Sequence, residues 1–195
     1  MKGFIVMKLL EDRIIKDGRI LSGNILKVDT FLGQQIDAPF MTELAQEWKR
    51  LFECEKITKI LTIEASGIGI ACIAGVCFNV PVVYAKKTSS DVSKDCYSSK
   101  IVSYTHGTIY NVNIPKSIIS ADDNVLIIDD LLANGSALKA LIKLTEQAGA
   151  KVIGAGIAIE KTYLGAADKI RNEGYRIESL AKIAKVDDIS GITFI

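Results

Sequence analysis

The sequence predicts an α/β fold in which helices cover both faces of a mostly parallel central sheet. From about residue 40, apolar runs of strand character alternate with segments whose apolar residues have helical spacing. The chain has 195 residues, 49% of them hydrophobic, which suits one domain with a substantial core. Strands that alternate with helices form right-handed crossover units in a single sheet. We therefore expect residues 1–195 to form a single domain.

The first half of this alternation contains two helices and two strands. Apolar residues recur at helical spacing from Leu44 to Phe52, which predicts a helix over 41–52. The β-branched run at 59–63 predicts a short buried strand. Small apolar residues at 68–78 predict a helix, and the apolar run at 80–85 predicts a second strand.

The second half starts with a polar segment at 88–107, which is rich in Ser, Lys, Asp and Thr. A polar stretch of this length inside a compact domain is typically a functional loop, and we expect a flexible lid. Alternation at 109–114 predicts a strand, as does the continuous apolar run at 124–130. An amphipathic helix follows at 136–148, and another buried strand is predicted at 152–159.

The two ends of the chain do not follow this alternation. Residues 1–40 carry two short apolar pairs, Ile20-Leu21 and Ile25-Leu26, amid Gly, Ser and Asn. We expect about 1–40 to form a small hood over the sheet edge and the tail at 175–195 to join it. The chain start has too short an apolar stretch for a secretory signal, which favours a cytoplasmic location.

Charge and cysteine content exclude several classes of protein. Lys plus Arg is 24 against 23 for Asp plus Glu, a net charge of +1, so a general nucleic-acid binder is not expected. No charge occurs between Glu64 and Lys86, but the Asn79-Val80-Pro81 break in this run argues against a membrane span. The four cysteines form no C-x-x-C pair and lie far from the single histidine, His106. Neither a zinc site nor a disulfide framework is expected.

The most specific chemical signal lies after the strand at 124–130. Two acids, Asp129 and Asp130, are followed by small residues and then by a helix start at Ser136. Small residues allow backbone N–H groups to surround a phosphate, and the helix N-terminus adds a favourable dipole. Ser136 can cap the helix and also donate to the phosphate. The alternative is an acidic strand end followed by an ordinary helix cap.

The segment 125–137 resembles the signature with which type I phosphoribosyltransferases bind 5-phosphoribosyl 1-pyrophosphate (PRPP). The chain is similar in particular to the purine enzymes of this family, from about Met7, where such chains usually start, to near the C-terminus. The resemblance implies the type I fold and a transferase activity. Further similar segments are 25–32, 62–68, 159–161 and 174–181.

The resemblance implies a role for each segment that follows a strand. Asp129 and Asp130 would face the ribose hydroxyls and act in catalysis. Ala65-Ser66-Gly67 would form a tight loop on the pyrophosphate, where glycine permits close backbone approach, and Lys86 would neutralise pyrophosphate charge. The loop after the acids would bind the 5′-phosphate through Ala133, Asn134, Gly135, Ser136 and Ala137.

The resemblance also implies a base-binding set. Leu26 of the hood would contact the base, and Lys161 would reach the oxygen edge of the purine unless it pairs with Glu160 instead. The family has a polar residue such as Asn, Ser or Thr at the position of Gly33. Gly33 has no side chain that could contact the base, so Gln34 or a water would bind the 2-position of the base instead.

The implied reaction joins N9 of xanthine to C1 of the ribose and expels pyrophosphate, giving xanthosine 5′-monophosphate. Mg²⁺ would be held mainly by PRPP and pyrophosphate oxygens, without a confident ligand from the protein. The lid at 88–107, including Tyr104, would close and exclude water. The resemblance further suggests a homodimer without a nucleic-acid or membrane partner.

Two alternatives remain open. The same chemistry could serve another purine: guanine, hypoxanthine or adenine. A non-catalytic, PRPP-sensing transcription regulator is the other alternative. It would carry an added DNA-binding region, and residues 1–40 are neither basic nor like a helix-turn-helix.

Overall fold

The computed structural model describes residues 2–22, 25–90, 92–102, 109–187 and 189–195. Apart from the strand at Cys96–Val102, the α-helices and strands from residue 38 to 161 lie close to the predicted ones, and six further α-helices and strands flank that region. The helices are α1 (Lys2–Asp17), α2 (Ala38–Leu51), α3 (Ser66–Phe78), α4 (Ser136–Gln147) and α5 (Ala166–Asn172). The strands are β1 (Arg19–Leu21), β2 (Ile25–Lys27), β3 (Lys59–Ile63), β4 (Val82–Thr88), β5 (Cys96–Val102), β6 (Ile109–Pro115), β7 (Asn124–Leu132), β8 (Lys151–Lys161), β9 (Ile177–Asp187) and β10 (Gly191–Phe194).

Eight of the strands form one mixed sheet in the order β10-β9-β8-β7-β3-β4-β6-β5. The pairs from β9 to β4 are parallel, whereas β10 with β9, β4 with β6 and β6 with β5 are antiparallel. The mostly parallel α/β sheet is therefore confirmed. Because β3, β4, β7 and β8 run in the same direction, their carboxyl ends meet at one edge, which is where such sheets bind ligands.

Helices cover both faces of the sheet, and each face has its own apolar core. The α1, α2 and α3 helices pack on one face, and α4 and α5 pack on the other. Trp48 of α2 and Phe52, the residue that follows this helix, are fully or almost fully buried, which places both in the core. Two glycines of β8 make room for them: a Cβ on Gly156 would lie 3.0 Å from the Trp48 ring, and one on Gly154 would lie 2.9 Å from Phe52.

We expect Gly156→Ala to lower the free energy of unfolding by about 1–3 kcal/mol, because the core is already close-packed at this point. The new Cβ would lie 2.7 Å from Ile128 Cδ1 as well as against Trp48. Urea denaturation measures the effect. Trp48→Phe should recover part of the loss in the double variant, because a smaller ring leaves space. Additive losses would contradict this packing.

The ends of the chain add a second layer to the first face. The β1 and β2 strands form a separate two-stranded sheet, and α1 packs on β9. The guanidinium of Arg13 on α1 lies 5.2 Å from the ring centroids of both Phe31 and Phe40, and it also pairs with Asp37 at the start of α2. The tail at 175–195 extends the main sheet as β9 and β10, so only residues before α2 form a separate layer.

The polar segment at 88–107 is only partly the loop that we expected. Strand β5 occupies its middle because Tyr97 and Ile101 face the core under α4, while the other face of the strand is polar. Gln147 at the end of α4 accepts a hydrogen bond from the Ser98 N–H (3.1 Å) and donates one to the Ser98 carbonyl (2.9 Å). Tyr104 lies outside the described residues. A lid function for this segment stays a prediction.

The uncharged run between Glu64 and Lys86 folds as α3 and β4. Asn79 ends α3 in a left-handed conformation (φ 58°), which turns the chain directly towards β4. Within the described part of the chain, no helix is long and apolar enough to cross a membrane.

Candidate active site

The two acids at the end of β7 are buried at the shared edge of the sheet. Asp129 is 6% exposed and Asp130 is 9% exposed. Asp129 Oδ1 accepts a hydrogen bond from the backbone N–H of Asp130 at 3.1 Å. Asp130 Oδ1 accepts one from the Ser66 hydroxyl, also at 3.1 Å. The structure thus brings together the two predicted catalytic acids and one predicted pyrophosphate-binding residue.

Burial makes both carboxyl groups harder to ionise. Desolvation raises the pKa of Asp129 well above its ordinary value, and the neighbouring charge of Asp130 raises it further. The positive charge of Lys87 acts in the opposite direction. Desolvation also raises the pKa of Asp130, although the Ser66 hydroxyl favours its ionised form. A cationic group beside Asp129 and Asp130 would favour the ionised form of both carboxyl groups.

The predicted pyrophosphate loop connects β3 to α3 directly above the acids. Ser66 begins α3, and the peptide bond between Glu64 and Ala65 is cis. Gly67 follows in the first turn, where a Cβ would lie 2.2 Å from Thr62 Oγ1 and 2.6 Å from Asp129 Oδ1. Only glycine lets the helix N-terminus approach the acids this closely. The loop therefore presents backbone N–H groups at the edge of the acid pair.

The two lysines at the end of β4 lie on opposite faces of the sheet, as neighbours in a strand do. The positive charge of Lys87 lowers the pKa of Asp129, and the Lys87 backbone N–H donates to Glu64 Oε1 at 2.6 Å. Lys86, the lysine expected at the pyrophosphate, lines a cavity of about 750 Å³ on the other face with Tyr84. The pattern Lys86-Lys87 does not show which lysine faces the acids, and the role of Lys86 at the pyrophosphate stays a prediction.

The predicted phosphate loop, 133–137, connects β7 to α4. Gly135 has a left-handed backbone (φ 78°) and is the N-cap of α4, without a side-chain cap. The expectation that Ser136 caps the helix is therefore wrong: Ser136 is its first residue and donates to Asn134 Oδ1 from both N (3.0 Å) and Oγ (2.6 Å). The N-terminus of α4 can therefore still offer backbone donors to an anion.

Helix α5 packs against the predicted phosphate loop. A Cβ on Gly135 would lie 3.1 Å from Ile170 Cδ1 and 3.2 Å from Ala166 Cβ, so α5 touches the loop backbone. The helix is held in place by Arg171, which donates to both carboxylate oxygens of the buried Glu160 at 3.0 and 2.6 Å. Ser179 donates to the same carboxylate at 2.5 Å.

Lys161 stands at the end of β8, next to Glu160 in sequence but on the other face of the strand. The alternative that Lys161 pairs with Glu160 is wrong, because Arg171 and Ser179 occupy that carboxylate. Lys161 is half-buried, and desolvation lowers its pKa. A half-buried ammonium at this edge is a suitable donor for a carbonyl oxygen.

The other two predicted base-binding residues lie in the N-terminal layer. The Leu26 side chain is 6% exposed and packs into the apolar core with Ile14 and Phe31. A Cβ on Gly33 would lie 3.1 Å from Asp29 Oδ1, so the Asp29 carboxylate stands where a side chain at position 33 would begin. Gln34 is exposed and lines a polar cavity of about 500 Å³ together with Asp29.

Among the described residues, no group of three or more His, Cys, Asp or Glu side chains could hold a metal ion. The expectation that Mg²⁺ arrives with PRPP and is held mainly by substrate oxygens stays a prediction.

Comparisons with known proteins agree with this geometry. The family described as "Phosphoribosyl transferase domain" matches residues 39–183. A curated xanthine phosphoribosyltransferase of Lachnoclostridium phytofermentans is 52% identical over 186 residues, which is 95% of this chain and 96% of that protein. The corresponding protein of Ruminiclostridium cellulolyticum is 47% identical over 93% of this chain and 96% of its own.

Solved structures share the fold at lower identity. The adenine phosphoribosyltransferase of Saccharomyces cerevisiae superimposes with a TM-score of 0.75 at 20% identity, over 91% of this chain and 99% of that chain. At this identity the likeness shows the fold alone. The type I phosphoribosyltransferase fold expected from the sequence is thereby confirmed.

Proposed function

Since the chain belongs to the phosphoribosyl transferase family, we propose that it transfers the 5-phosphoribosyl group of PRPP to N9 of xanthine. The products are xanthosine 5′-monophosphate and pyrophosphate. The observation that carries the proposal is the buried pair Asp129–Asp130 between the loops at 65–67 and 133–137. The substrate follows from curated relatives named xanthine phosphoribosyltransferase that are 52% and 47% identical over nearly the whole chain.

In the proposed reaction the bond from ribose C1 to pyrophosphate oxygen breaks, and the bond from C1 to N9 of the base forms. Departure of pyrophosphate leaves positive charge on the ribose ring. Asp129 and Asp130 face that charge and stabilise it, because preorganised carboxylates in a buried site act strongly on developing charge. Mg²⁺, held mainly by PRPP and pyrophosphate, would neutralise the leaving group. The segment 88–107 is our proposed lid, which would exclude water while the ring is cationic.

The loops divide the recognition of PRPP between them. Backbone N–H groups of residues 133–137 would bind the 5′-phosphate, and those of residues 65–67 would bind the pyrophosphate. Both loops begin a helix, so both helix dipoles favour the bound anions. Lys161 would donate to the 6-oxo group of the base, and Gln34 or a water would complete recognition at the 2-position.

We further propose that the protein works as a homodimer in the cytoplasm. Val76 of α3 is 82% exposed, and Tyr84 of β4 is 43% exposed. Exposed apolar side chains of this size favour association with a second copy. The four cysteines are free thiols, which suits a reducing compartment.

The experiment that tests the function is a base-by-base assay of nucleotide formation from PRPP with Mg²⁺. We expect xanthine to give the highest kcat/KM among xanthine, guanine, hypoxanthine and adenine. A clear preference for another purine would contradict the substrate but keep the reaction class. PRPP binding without turnover on any base would instead support a non-catalytic sensor.

The lysines at the end of β4 give a second test. We expect Lys87→Gln to lower kcat/KM for PRPP by about tenfold, since it removes the cation that faces the acids and the leaving group. Lys86→Gln is the matched comparison, because it removes the same charge from the opposite face of the strand. A larger loss in Lys86→Gln would show that Lys86 contacts the pyrophosphate, as the sequence predicts. Steady-state kinetics with varied PRPP measures both.

A further inference from the structure

The hydroxyl of Thr62 is a buried polar group with no role so far. Thr62 lies near the end of β3 and is fully buried. Its Oγ1 atom has no hydrogen-bond partner among the described residues. A buried hydroxyl without a partner costs free energy, and such groups are rare in native proteins. The burial of this hydroxyl therefore indicates a hydrogen-bond partner within its reach.

The nearest candidate partner is the catalytic acid Asp129. Thr62 Oγ1 and Asp129 Oδ1 lie 2.2 and 2.6 Å from the same point, the place where a Cβ on Gly67 would stand. Both oxygens therefore border the same space, the one that a side chain at position 67 would fill. Because residue 67 is a glycine, that space stays open for a hydrogen bond between the hydroxyl and the carboxylate.

Other charged and polar groups around Asp129 come from each neighbouring strand and helix. Asp130 follows it on β7, Lys87 approaches from β4, and Ser66 on α3 donates to Asp130. The backbone N–H of Asp130 already donates to Asp129 Oδ1. Asp130 disfavours a negative charge on Asp129, whereas Lys87 favours it. A hydroxyl donor from β3 would add to the effect of Lys87.

We propose that Thr62 is a positioning residue whose hydroxyl donates a hydrogen bond to the ionised carboxylate of Asp129 and so keeps it charged and aimed at the ribose. The inference rests on the proposed function, in which Asp129 acts as an anion beside a cationic ring. It adds a group on β3 to a site otherwise built from β7, α3 and β4. A hydrogen bond to a carboxylate favours its ionised form.

The test compares Thr62→Val, which has the same shape without the hydroxyl, with Thr62→Ser, which keeps the hydroxyl. In Thr62→Val we expect kcat/KM to fall about tenfold on the acidic limb of the pH profile and to approach the wild-type value as the pH rises, because that limb moves to higher pH. Thr62→Ser should restore the wild-type profile. A profile for Thr62→Val that matches the wild type, or falls equally at every pH, would overturn the proposal.

A second measurement does not depend on turnover. Carbon-detected NMR titration of aspartate side-chain carboxyl groups follows the ionisation of Asp129 in the ligand-free protein, with Asp129→Asn to assign its signal. We expect the titration of Asp129 to move to higher pH in Thr62→Val and to return in Thr62→Ser. An unchanged titration overturns the proposal even if the protein proves inactive on every purine. If Thr62→Val loses activity but the titration of Asp129 does not move, the role of Thr62 is wrong and the proposed function is unaffected.

Thermal unfolding across the pH range is the folding control. Thr62→Val keeps the shape of the side chain, so it should fold, and its loss of stability should appear only where Asp129 is ionised, because the lost donor stabilises only the ionised carboxylate. A loss of stability that is the same at every pH would show a structural role for the hydroxyl and would contradict the proposal.

Discussion

Asp130→Asn is expected to lower kcat by about a hundredfold to a thousandfold, the range for removal of one preorganised charge that faces a transition state. The amide keeps the size of the carboxylate and can still accept the hydrogen bond from Ser66 at Oδ1. The loss would therefore come from charge rather than from packing. Steady-state kinetics with saturating PRPP and xanthine measures it.

The same substitution should not destabilise the ligand-free protein, and at neutral pH it should stabilise it. Folding raises the pKa of both Asp129 and Asp130, chiefly through desolvation. As the pH rises from the unfolded value near 3.9 through the raised folded values, the unfolded chain ionises first, so the pair increasingly opposes folding. Asp130→Asn removes one buried charge and its repulsion of Asp129. The stability of the variant relative to the wild type should therefore grow as the pH rises above the unfolded value.

The exposed Asp122 provides the control for this experiment. Asp122→Asn makes the same chemical change at an exposed position outside the site, and we expect wild-type kcat. Urea denaturation across the pH range, with kinetics on the same samples, separates the two effects. Wild-type activity in Asp130→Asn would refute the role assigned to this carboxylate.

Gly67→Ala is expected to lower both activity and stability. Helix propensity alone predicts that alanine in α3 stabilises the protein by about 0.5–1 kcal/mol. The new Cβ would instead collide with Thr62 Oγ1 and Asp129 Oδ1, neither of which is the end of a long flexible side chain. We expect a loss of about 1–3 kcal/mol in stability from the collision. We also expect about a hundredfold loss in kcat/KM, because the pyrophosphate loop and the acid pair must separate.

Gly69→Ala is the matched control, two residues further along the same helix. Its Cβ would meet only the tip of Ile36, a side chain that is 54% exposed and free to move. We expect unchanged or slightly increased stability and wild-type activity. If Gly67→Ala behaves like Gly69→Ala, the close approach of α3 to the acids is not required for catalysis.

The strands and helices from α2 to β8 could be predicted because their apolar runs are long and their periods are clear. Strand β5 could not, because it lies at an edge and buries little beyond Tyr97, Ser99 and Ile101. The Gly, Ser and Asn residues that characterise 1–40 lie mainly after α1, at 18–33, so that composition does not predict the helix. The tail pairs with β8, a contact between distant parts of the chain that local patterns do not reveal.

The residues of the candidate site also differ in whether the sequence alone could predict them. Asp129, Asp130 and the two loops could be located because each follows a buried strand, and parallel strands end at a common edge. Which of Lys86 and Lys87 faces the acids depends on which face of β4 packs under α4, and that is a tertiary property. The partner of Glu160 is Arg171, which lies on a short helix that local sequence patterns did not predict.

The contact between Gln147 and Ser98 has a consequence for the behaviour of the protein at high concentration. A side-chain amide that both accepts from and donates to one residue of an outermost strand makes the same two bonds that an incoming strand would make. An open strand edge is a template for aggregation, and proteins protect such edges with covering groups. Gln147 thus blocks addition of a foreign strand at β5, and Gln147→Ala should make the protein more prone to aggregate on refolding.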